Sequence, residues 1–426
     1  MVLMKKVHQE AGEEAAVATE NTHHSAHAQL FEIRRRIFSL PMVLKRKEDV
    51  LLRDAISRVA AENLQAKLDV PLFDESLRDG FAISAGEKVA CDGETCFQIA
   101  GVTGAGDVLD KALKPGEAWL VMTGGKVPGD CTRIIPKEWC AVEGQRVTIR
   151  SKYLTGPSYI KRRGEERQKG AILVEAGEVI TPASLVKIAE GGWHKLAVYR
   201  RPRVSFCCTG KELVESGVLP EDAQKISSNK YLLVALIEQC GCLAHDYGIV
   251  TDEEKMVGQF FTDCLDGSSD LVLTTGGTGG GDFDLVEKGF LDAGGTLTCT
   301  SLDLRPGRST VAGEKNGVLY VGLPGPPKAV HTVFLEVVAP LLQEMSGVRP
   351  AGPRCIEAFA GEDITAKTKG ALLIKEGVLS CIGGQVLVQR ATRNEHPNCN
   401  ILIAPGRDHI KKGEIVEVHL RQPLWG

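Results

Sequence analysis

The sequence predicts a multidomain α/β protein in which one domain with a doubly wound, parallel sheet is combined with mostly-β domains. Over residues 203–345, short apolar runs alternate with amphipathic helical segments, which is typical of a parallel sheet with helices on both faces. Residues 71–185 are rich in glycine, proline and short β-like runs, so we expect a mostly-β region there. Residues 350–426 return to short β runs and predict a small β-barrel or sandwich.

The first 26 residues have a composition unlike that of the predicted folded domains. Residues 1–26 are polar and poor in aromatic side chains, so we expect a disordered tail. His23, His24 and His27 make a metal site the alternative interpretation, but no carboxylate or cysteine spacing supports one. The disordered tail is therefore the preferred hypothesis.

Helical spacing of apolar residues appears in the segments that follow. We expect one helix through residues 30–37 and a second over residues 50–62, where apolar side chains recur on one face. Residues 181–191 predict a short helix that leads into a strand over residues 195–199.

The elements of the α/β region alternate, and each strand ends at a turn. In chain order we predict a strand at 204–208, a helix at 229–239, a strand at 243–250, a helix beginning after Asp252, strands at 271–275 and 318–322, and a last helix with an apolar stripe over 330–342. The Asp252 carboxylate suits an N-cap. Pro340 is expected to kink the last helix.

The bulk composition excludes several classes of function. The 426 residues carry a net charge of -4, so no global field favours nucleic acid or an anionic membrane. We find no run of 18 uncharged apolar residues and no secretory signal, and the 13 cysteines fit no zinc-binding pattern. We therefore expect a cytoplasmic protein with free thiols and a local ligand site.

Three predicted turns lie at the C-terminal ends of strands, where ligands of an open parallel sheet bind. They are Thr209-Gly210, residues 276–281 (Gly-Gly-Thr-Gly-Gly-Gly) and residues 322–327 (Gly-Leu-Pro-Gly-Pro-Pro). Glycine lets backbone N–H groups approach an anion, and the following helix N-terminus adds a favourable dipole. The alternative is that the glycines only make tight turns. The predicted ligand-binding residues of these turns are Thr209, Gly210, Gly276, Gly277, Thr278, Gly279 and Gly325.

Charged residues flank these turns. Glu212, Asp252 and Asp284 offer carboxylate oxygens, which suit Mg²⁺ together with a substrate phosphate, although helix capping explains Asp252 and Asp284 almost equally well. Arg305 and Arg308 flank a Pro-Gly turn, and guanidinium groups match phosphate or another tetrahedral oxyanion. A surface charge pair is the alternative for the two arginines.

The order of these motifs resembles the MoeA-type molybdopterin molybdenumtransferase family, which includes the C-terminal domain of gephyrin. The resemblance runs from about residue 30 to 425. The segments that carry it are Phe-Asp-Glu-Ser-Leu-Arg-Asp-Gly-Phe-Ala (73–82), Met-Thr-Gly-Gly-Lys-Val-Pro (122–128), Arg-Arg-Gly-Glu-Glu (162–166), Cys-Thr-Gly-Lys-Glu-Leu (208–213), the glycine turn to Asp284 (276–284), Arg-Pro-Gly-Arg-Ser (305–309) and the turn at 322–327.

The resemblance implies a domain organisation and an activity. It implies an elongated domain I from residues 27–70 and 160–202, a β domain II over 71–159, an α/β molybdopterin-binding domain III over 203–347, and a barrel domain IV over 348–426. It implies a homodimer that binds adenylylated molybdopterin and molybdate, releases AMP with Mg²⁺ and inserts molybdenum. The residues at the family's functional positions are Asp79, Thr123, Glu212, Asp252 and Asp284, of which Glu212, Asp252 and Asp284 would hold the metal. The implied partners are a molybdopterin adenylyltransferase and apo-molybdoenzymes.

The sequence departs from the family pattern at several oxyanion-binding positions. The family's Lys-Pro-Gly-Lys-Pro is Arg-Pro-Gly-Arg-Ser at residues 305–309, and its Asn-Pro-Val-Ser is Pro-Pro-Lys-Ala at residues 326–329, which removes a hydroxyl. Lys211 and Ser227 replace two acids. These changes leave three hypotheses open: a transferase that inserts molybdenum, a divergent pterin-binding carrier, sensor or scaffold, and a phosphohydrolase acting on a nucleotide.

Overall fold

The computed structural model describes residues 25–40, 46–84, 93–277 and 285–421, so nearly all of the predicted tail lies outside the described residues. The first described element is helix α1 (Ala26–Phe38), which contains the first predicted helix. Ser25 is its N-cap, and the Ser25 side chain accepts a hydrogen bond from the Ala28 N–H at 3.1 Å. Leu30, Ile33 and Ile37 form the buried face of α1.

The second predicted helix, over residues 50–62, is wrong. The chain instead forms strand β1 (Lys47–Leu51) and a 3₁₀ turn (Leu52–Asp54), and the short strands β2 (Leu64–Gln65) and β3 (Glu75–Ser76) follow. Pairing of β1 with a distant strand decides the local structure, because cross-strand hydrogen bonds outweigh a weak local propensity. Leu51 and Ile56, which the helix would have buried, are exposed.

A six-stranded sheet forms the mostly-β region, as the sequence predicts. Its strand order is β7-β4-β6-β5-β9-β8. The strands are β4 (Gly80–Ile83), β5 (Glu94–Thr103), β6 (Glu117–Val121), β7 (Arg133–Pro136), β8 (Cys140–Glu143) and β9 (Arg146–Arg150), with 3₁₀ turns at Lys137–Trp139 and Ser151–Tyr153. The sheet buries Phe81, Phe97 and Ile149 on one face.

After this sheet the chain returns to the first strands. Strands β10 (Ile160–Lys161), β11 (Ile172–Val174) and β12 (Lys195–Tyr199) pair antiparallel with β3, β2 and β1, respectively. Helix α2 (Pro182–Glu190) lies between β11 and β12 and begins with a Thr181–Ser184 capping box. The predicted helix at 181–191 and strand at 195–199 are confirmed.

The α/β region has the predicted alternation of strands and helices. Its strands are β13 (Arg203–Thr209), β14 (Leu213–Val214), β15 (Lys225–Ile226), β16 (Leu243–Val250), β17 (Leu271–Thr275), β18 (Thr296–Cys299), β19 (Leu304–Arg305), β20 (Val311–Lys315) and β21 (Val318–Leu323). Its helices are α3 (Ser228–Gln239), α4 (Glu254–Cys264), α5 (Leu285–Asp292), α6 (Pro327–Val333) and α7 (Ala339–Met345), with a π turn at Phe334–Val338 between the last two. The π turn lies directly before Pro340, where the sequence predicts a kink.

The main sheet has the order β16-β13-β17-β21-β20-β18. The first four strands are parallel, and β20 and β18 add an antiparallel edge that the sequence does not predict. Alternate residues of a strand face opposite sides of a sheet, so Leu271 and Leu273 pack against α3 and α6, whereas Val272 packs against α4 and α5. Both faces are covered by helices, and the predicted doubly wound sheet is confirmed.

The C-terminal residues form a closed five-stranded barrel. Strands β24, β25, β22, β28 and β26 are neighbours in that order, and β24 also pairs with β26, which closes the ring. The strands are β22 (Cys355–Ala360), β23 (Ile364–Thr365), β24 (Leu372–Ile382), β25 (Gln385–Arg390), β26 (Cys399–Ile403), β27 (His409–Ile410) and β28 (Ile415–Leu420). Closure removes unpaired sheet edges, and Ile401, Val416 and Val418 fill the interior.

The cysteines and the helices can be compared with the expectation of free thiols and of no transmembrane helix. Every cysteine in the described residues is a free thiol, in agreement with the sequence analysis. Among the helices that the structure describes, none combines the length and apolar character needed to cross a membrane.

An aromatic cluster between α5 and the main sheet provides a test of this core. The Phe290 ring lies 4.5 Å from Tyr320 and 5.5 Å from Phe261, measured between centroids. We expect Phe290→Ala to destabilise the α/β domain by about 3–5 kcal/mol, because the cavity cannot collapse fully. Leu291→Ala is the control, since Leu291 on the same helix is exposed. Urea unfolding of both variants is followed by circular dichroism. Equal unfolding midpoints for the two variants would contradict this packing.

Candidate functional site

The three predicted turns meet at one edge of the main sheet. Strands β13, β17 and β21 are adjacent and parallel, so their C-terminal ends share that edge. The chain leaves β13 towards α3 on one face and leaves β17 towards α5 on the other face. Between β13 and β17 the strand order therefore reverses, and such a switch point opens a crevice in which α/β proteins bind ligands.

The backbones of these turns lie in direct contact. Gly276 has a φ of 87°, and a Cβ at this position would lie 2.6 Å from the Thr209 carbonyl oxygen. The Gly276 N–H donates to the Leu323 carbonyl at 3.2 Å. A Cβ added at Gly325 would lie 3.9 Å from the Gly276 Cα. Only glycine fits at 276, because any side chain would separate the turns.

Side-chain hydrogen bonds fix the relative position of the turns. The Thr209 hydroxyl is buried and donates to the Thr275 carbonyl at 3.2 Å. The Asn229 amide donates to the Gly325 carbonyl at 2.8 Å, which joins the start of α3 to the third turn. The Asn229 side-chain oxygen is buried and has no hydrogen-bond partner among the described residues. An unsatisfied buried acceptor of this kind suits a ligand or water donor.

The arginine turn precedes strand β20, which begins at that edge of the sheet. Val311 at the start of β20 pairs with Gly322 at the end of β21, so residues 305–309 precede a strand that begins beside the third turn. Arg305 is half-buried and Arg308 is exposed. Gly307 packs closely against Val333 of α6, which holds the turn between the two arginines onto the domain.

Two of the predicted acids lie beside the first turn. The Glu212 carboxylate is folded back on Gly210, whose added Cβ would lie 2.6 Å from a Glu212 oxygen. The Lys211 N–H donates to Asp252 Oδ2 at 3.1 Å. The N-cap prediction for Asp252 is wrong, because α4 begins at Glu254 with Glu253 at the cap position. Asp252 binds the neighbouring turn instead of its own helix.

Three predicted site residues lie outside the described residues. These are Thr278, Gly279 and Asp284, which belong to the segment 278–284. Gly276 and Gly277, which precede that segment, are described, and both have positive φ values of 87° and 63°.

Asp79 and Thr123 form a second group on the sheet of β4 to β9. The Thr123 N–H and hydroxyl both donate to Asp79 Oδ1 at 2.8 Å, and Lys137 Nζ lies 3.2 Å from Oδ2. These donors, first of all the Thr123 N–H, lower the pKa of Asp79 to about 2. Asp79 is therefore an ionised, oriented carboxylate at neutral pH.

The structure thus forms two groups of predicted residues and adds partners that sequence reasoning missed. Lys137 follows β7 directly, and β7 pairs with β4 through Gly80 and Pro136, so only the sheet register places Lys137 beside Asp79. The partner of Asn229 was missed in the same way, since Gly325 is 96 residues away. No local pattern signals either contact.

The Asp79 group provides a pH prediction. A carboxylate with a lowered pKa stabilises the fold above about pH 4, and this contribution is lost as the pH falls towards 2. Thr123→Val removes the hydroxyl donor, so we expect the titration midpoint of Asp79 to rise. Carboxyl ¹³C NMR measures the midpoint, and Asp408, which has the same two donors from Thr368, is the internal control. An unchanged Asp79 midpoint would show that the hydroxyl contributes nothing.

Comparisons with known proteins match most of the chain. The family model for the MoeA N-terminal region (domains I and II) matches residues 22–192, and the model for a probable molybdopterin-binding domain matches residues 205–344. A molybdopterin molybdenumtransferase from Staphylococcus aureus is 28% identical over 382 residues, covering 88% of this chain and 91% of the relative. One from Staphylococcus epidermidis is 27% identical over 383 residues, with the same coverage.

Solved structures show the same fold. A molybdopterin biosynthesis MoeA protein from Pyrococcus horikoshii aligns with a TM-score of 0.77 at 23% identity, over 92% of this chain and 98% of that one. A molybdenum cofactor biosynthesis protein from Pyrococcus furiosus aligns with a TM-score of 0.54 at 17% identity, over 93% and 98%. The two family models account together for most of the described sequence, and the predicted resemblance is confirmed: the chain belongs to the MoeA-type molybdopterin molybdenumtransferase family.

Proposed function

We propose that this protein inserts molybdenum from molybdate into adenylylated molybdopterin and releases AMP. The observation that carries the proposal is the meeting of three glycine turns at the switch point between β13 and β17. Backbone N–H groups at such a crevice bind the phosphates of a ligand without a charged side chain. The names of the curated relatives support a role in molybdenum cofactor biosynthesis.

The arginine turn supports the binding of a tetrahedral oxyanion beside the glycine turns. Molybdate carries two negative charges on oxygen, and guanidinium groups donate to such oxyanions in pairs. Arg305 and Arg308 precede β20, whose first residue, Val311, pairs with Gly322 near the end of β21. The unsatisfied Asn229 oxygen would accept a hydrogen bond from the pterin or from water.

The acids beside the first turn fit Mg²⁺. The ion prefers carboxylate oxygens and keeps substrate phosphate and water as further ligands. Glu212 lies against Gly210, and Asp252 accepts from the adjoining Lys211 N–H, so two carboxylates flank the proposed phosphate position. Asp284 would complete the set. When bound, Mg²⁺ would neutralise charge on the phosphates during AMP release.

Asp79 and Thr123 would complete the cleft from a second copy of the chain. Within one chain their hydrogen bonds are made on the sheet of β4 to β9, apart from the glycine turns. In a homodimer, domain II of one subunit would face domain III of its partner, and the ionised Asp79 would orient water or substrate. A molybdopterin adenylyltransferase would supply the substrate, and apo-molybdoenzymes in the cytoplasm would receive the product.

One observation favours a second candidate function, a pterin-binding carrier, sensor or scaffold without insertion activity. At residues 326–329 the family's hydroxyl is absent, and Lys328 forms an ion pair with Glu376 of the barrel. This contact pairs the cation of residues 326–329 with a carboxylate of the barrel. Tight binding of adenylylated molybdopterin without AMP release would support the second candidate.

The acids provide a test with a matched control. Purified protein is incubated with adenylylated molybdopterin, molybdate and Mg²⁺, and AMP release and activation of an apo-molybdoenzyme are measured. We expect Asp252→Asn to slow AMP release by about tenfold or more, because an amide is a poor Mg²⁺ ligand. Glu253→Gln is the control, since the adjacent Glu253 is exposed and makes no cap hydrogen bond. Equal rates for both variants would refute the role of Asp252.

A mixture of two impaired variants tests the shared cleft. Asp79→Asn and Asp252→Asn chains with different affinity tags are unfolded, mixed and refolded together. If each cleft combines Asp79 of one subunit with Asp252 of its partner, half of the dimers contain one intact cleft, and about a quarter of wild-type activity returns. Mixed dimers no more active than the single variants would place both acids in the cleft of a single chain.

A further inference from the structure

A cluster of potential metal ligands lies far from the glycine turns, where α1 crosses the outside of the barrel. Cys355 on β22 and His419 on β28 are direct partners in the antiparallel register. Directly paired residues project from the same side of a sheet. Their neighbours Ile356 and Val418 belong to the barrel core, so Cys355 and His419 project outward. His27, in the first turn of α1, covers them.

The ligand atoms of these three side chains already lie close together. His27 Nδ1 is 2.8 Å from His419 Nε2. One ring nitrogen of each histidine and Cys355 Sγ all lie within 4.8 Å of one another. Two nitrogens bound to one tetrahedral zinc ion are about 3.3 Å apart at normal Zn–N distances. A shift of about half an ångström would therefore open the His27–His419 hydrogen bond around an ion.

The Nδ1 atom of His419, on the opposite side of the ring from Nε2, has the kind of hydrogen-bond partner found in metal-bound histidines. His419 Nδ1 lies 2.7 Å from Glu336 Oε2, and both side chains are buried. A carboxylate that accepts the Nδ1–H fixes the tautomer and directs the Nε2 lone pair towards a metal. Metal-bound histidines almost always donate their other ring N–H to a carboxylate, a backbone carbonyl or water.

The charge on Glu336 is already balanced without a charged histidine. Arg34 donates to Glu336 Oε2 at 2.9 Å, and the two side chains form a buried ion pair. Asn400 donates to the other carboxylate oxygen at 2.6 Å. Because Arg34 balances the charge of Glu336, His419 can donate its Nδ1–H to this carboxylate as a neutral ring. The Nε2 atom of His419 then remains available for another partner.

We propose that His27 Nδ1, His419 Nε2 and Cys355 Sγ bind one Zn²⁺ ion, with solvent at the fourth position. Zinc prefers this set of nitrogen and sulfur ligands in tetrahedral geometry. On binding, the Cys355 thiol proton passes to solvent and the thiolate coordinates the ion, while the histidines bind as neutral rings. The Glu417 carboxylate, which accepts from the His27 N–H at 3.0 Å, lies beside the site and partly offsets the positive charge.

The ion would connect three parts of the chain. His27 belongs to α1, Cys355 and His419 belong to the barrel, and Glu336 belongs to the π turn after α6. Residues from distant parts of the sequence would thereby be cross-linked, and zinc would stabilise the docking of α1. This role is independent of the proposed molybdenum chemistry.

Cobalt substitution tests the proposal directly. Full-length protein is stripped of metal with a chelator and titrated with Co²⁺, which replaces Zn²⁺ and gives a thiolate-to-cobalt absorption band when cysteine binds. We expect the band to saturate at one equivalent and to disappear when Zn²⁺ is added. Other histidines of the chain, including His23 and His24, produce no such band because they carry no sulfur. Zn²⁺ is also expected to raise the melting temperature.

Three variants separate coordination from folding. Cys355→Ser should abolish the band, and His27→Gln, on the half-buried side of the cluster, should weaken Co²⁺ binding by about tenfold or more. Cys381→Ser is the matched control, because Cys381 is an exposed thiol of the same barrel, and it should keep the band. The proposal fails if the wild-type chain shows no thiolate–cobalt band, if the band survives in Cys355→Ser, or if His27→Gln binds Co²⁺ as tightly as the wild type.

Discussion

Gly276 leaves the end of β17 with a positive φ, and the carbonyl of Thr209 lies where a side chain at this position would begin. Because of this close approach, the turns after β13, β17 and β21 form one continuous backbone surface at the edge of the sheet. A Cβ at Gly276 would lie 2.6 Å from the Thr209 carbonyl oxygen, so the first two turns would have to move apart. The proposed phosphate site and its position relative to the acids beside Gly210 depend on this contact.

The two groups of acids have different electrostatic environments, which suits different tasks. Asp79 accepts from three donors and is held ionised in a fixed orientation. Glu212 and Asp252 lie beside the turn after β13 and have fewer donors among the residues that the structure describes. Carboxylates with few donors have oxygens to share with a metal ion, whereas a carboxylate with several donors is preorganised to position a neighbour. The proposed cleft combines one group of each kind.

Much of the fold was predictable from the sequence because its strongest signals are local. The strands at 243–250 and 271–275 and the helix at 229–239 are long, apolar and bounded by turns, and the structure confirms them. The failures share one physical cause. Residues 50–62 show helical spacing, but pairing of β1 with β12, almost 150 residues away, imposes a strand. Asp252 suits a helix cap by its position, but a neighbouring turn binds it instead.

In the candidate site too, local motifs were predictable from the sequence and long-range contacts were not. The turns and their flanking acids are sequence motifs, so their residues could be named in advance. Lys137 beside Asp79, Asn229 on Gly325, and His27 with Cys355 and His419 are joined by tertiary contacts between residues 58 to 392 positions apart. The histidines near the N-terminus gave no metal-binding pattern in the sequence, because the other ligands come from the barrel.

The central claim is that three turns at one edge of the sheet form an anion pocket. A crystal structure of the protein with adenylylated molybdopterin tests it most directly. The account predicts ligand phosphates within hydrogen-bond distance of backbone N–H groups at Gly210, Gly277 and Gly325. A ligand bound elsewhere, or an edge closed by side chains that leave no room for phosphate, would contradict it.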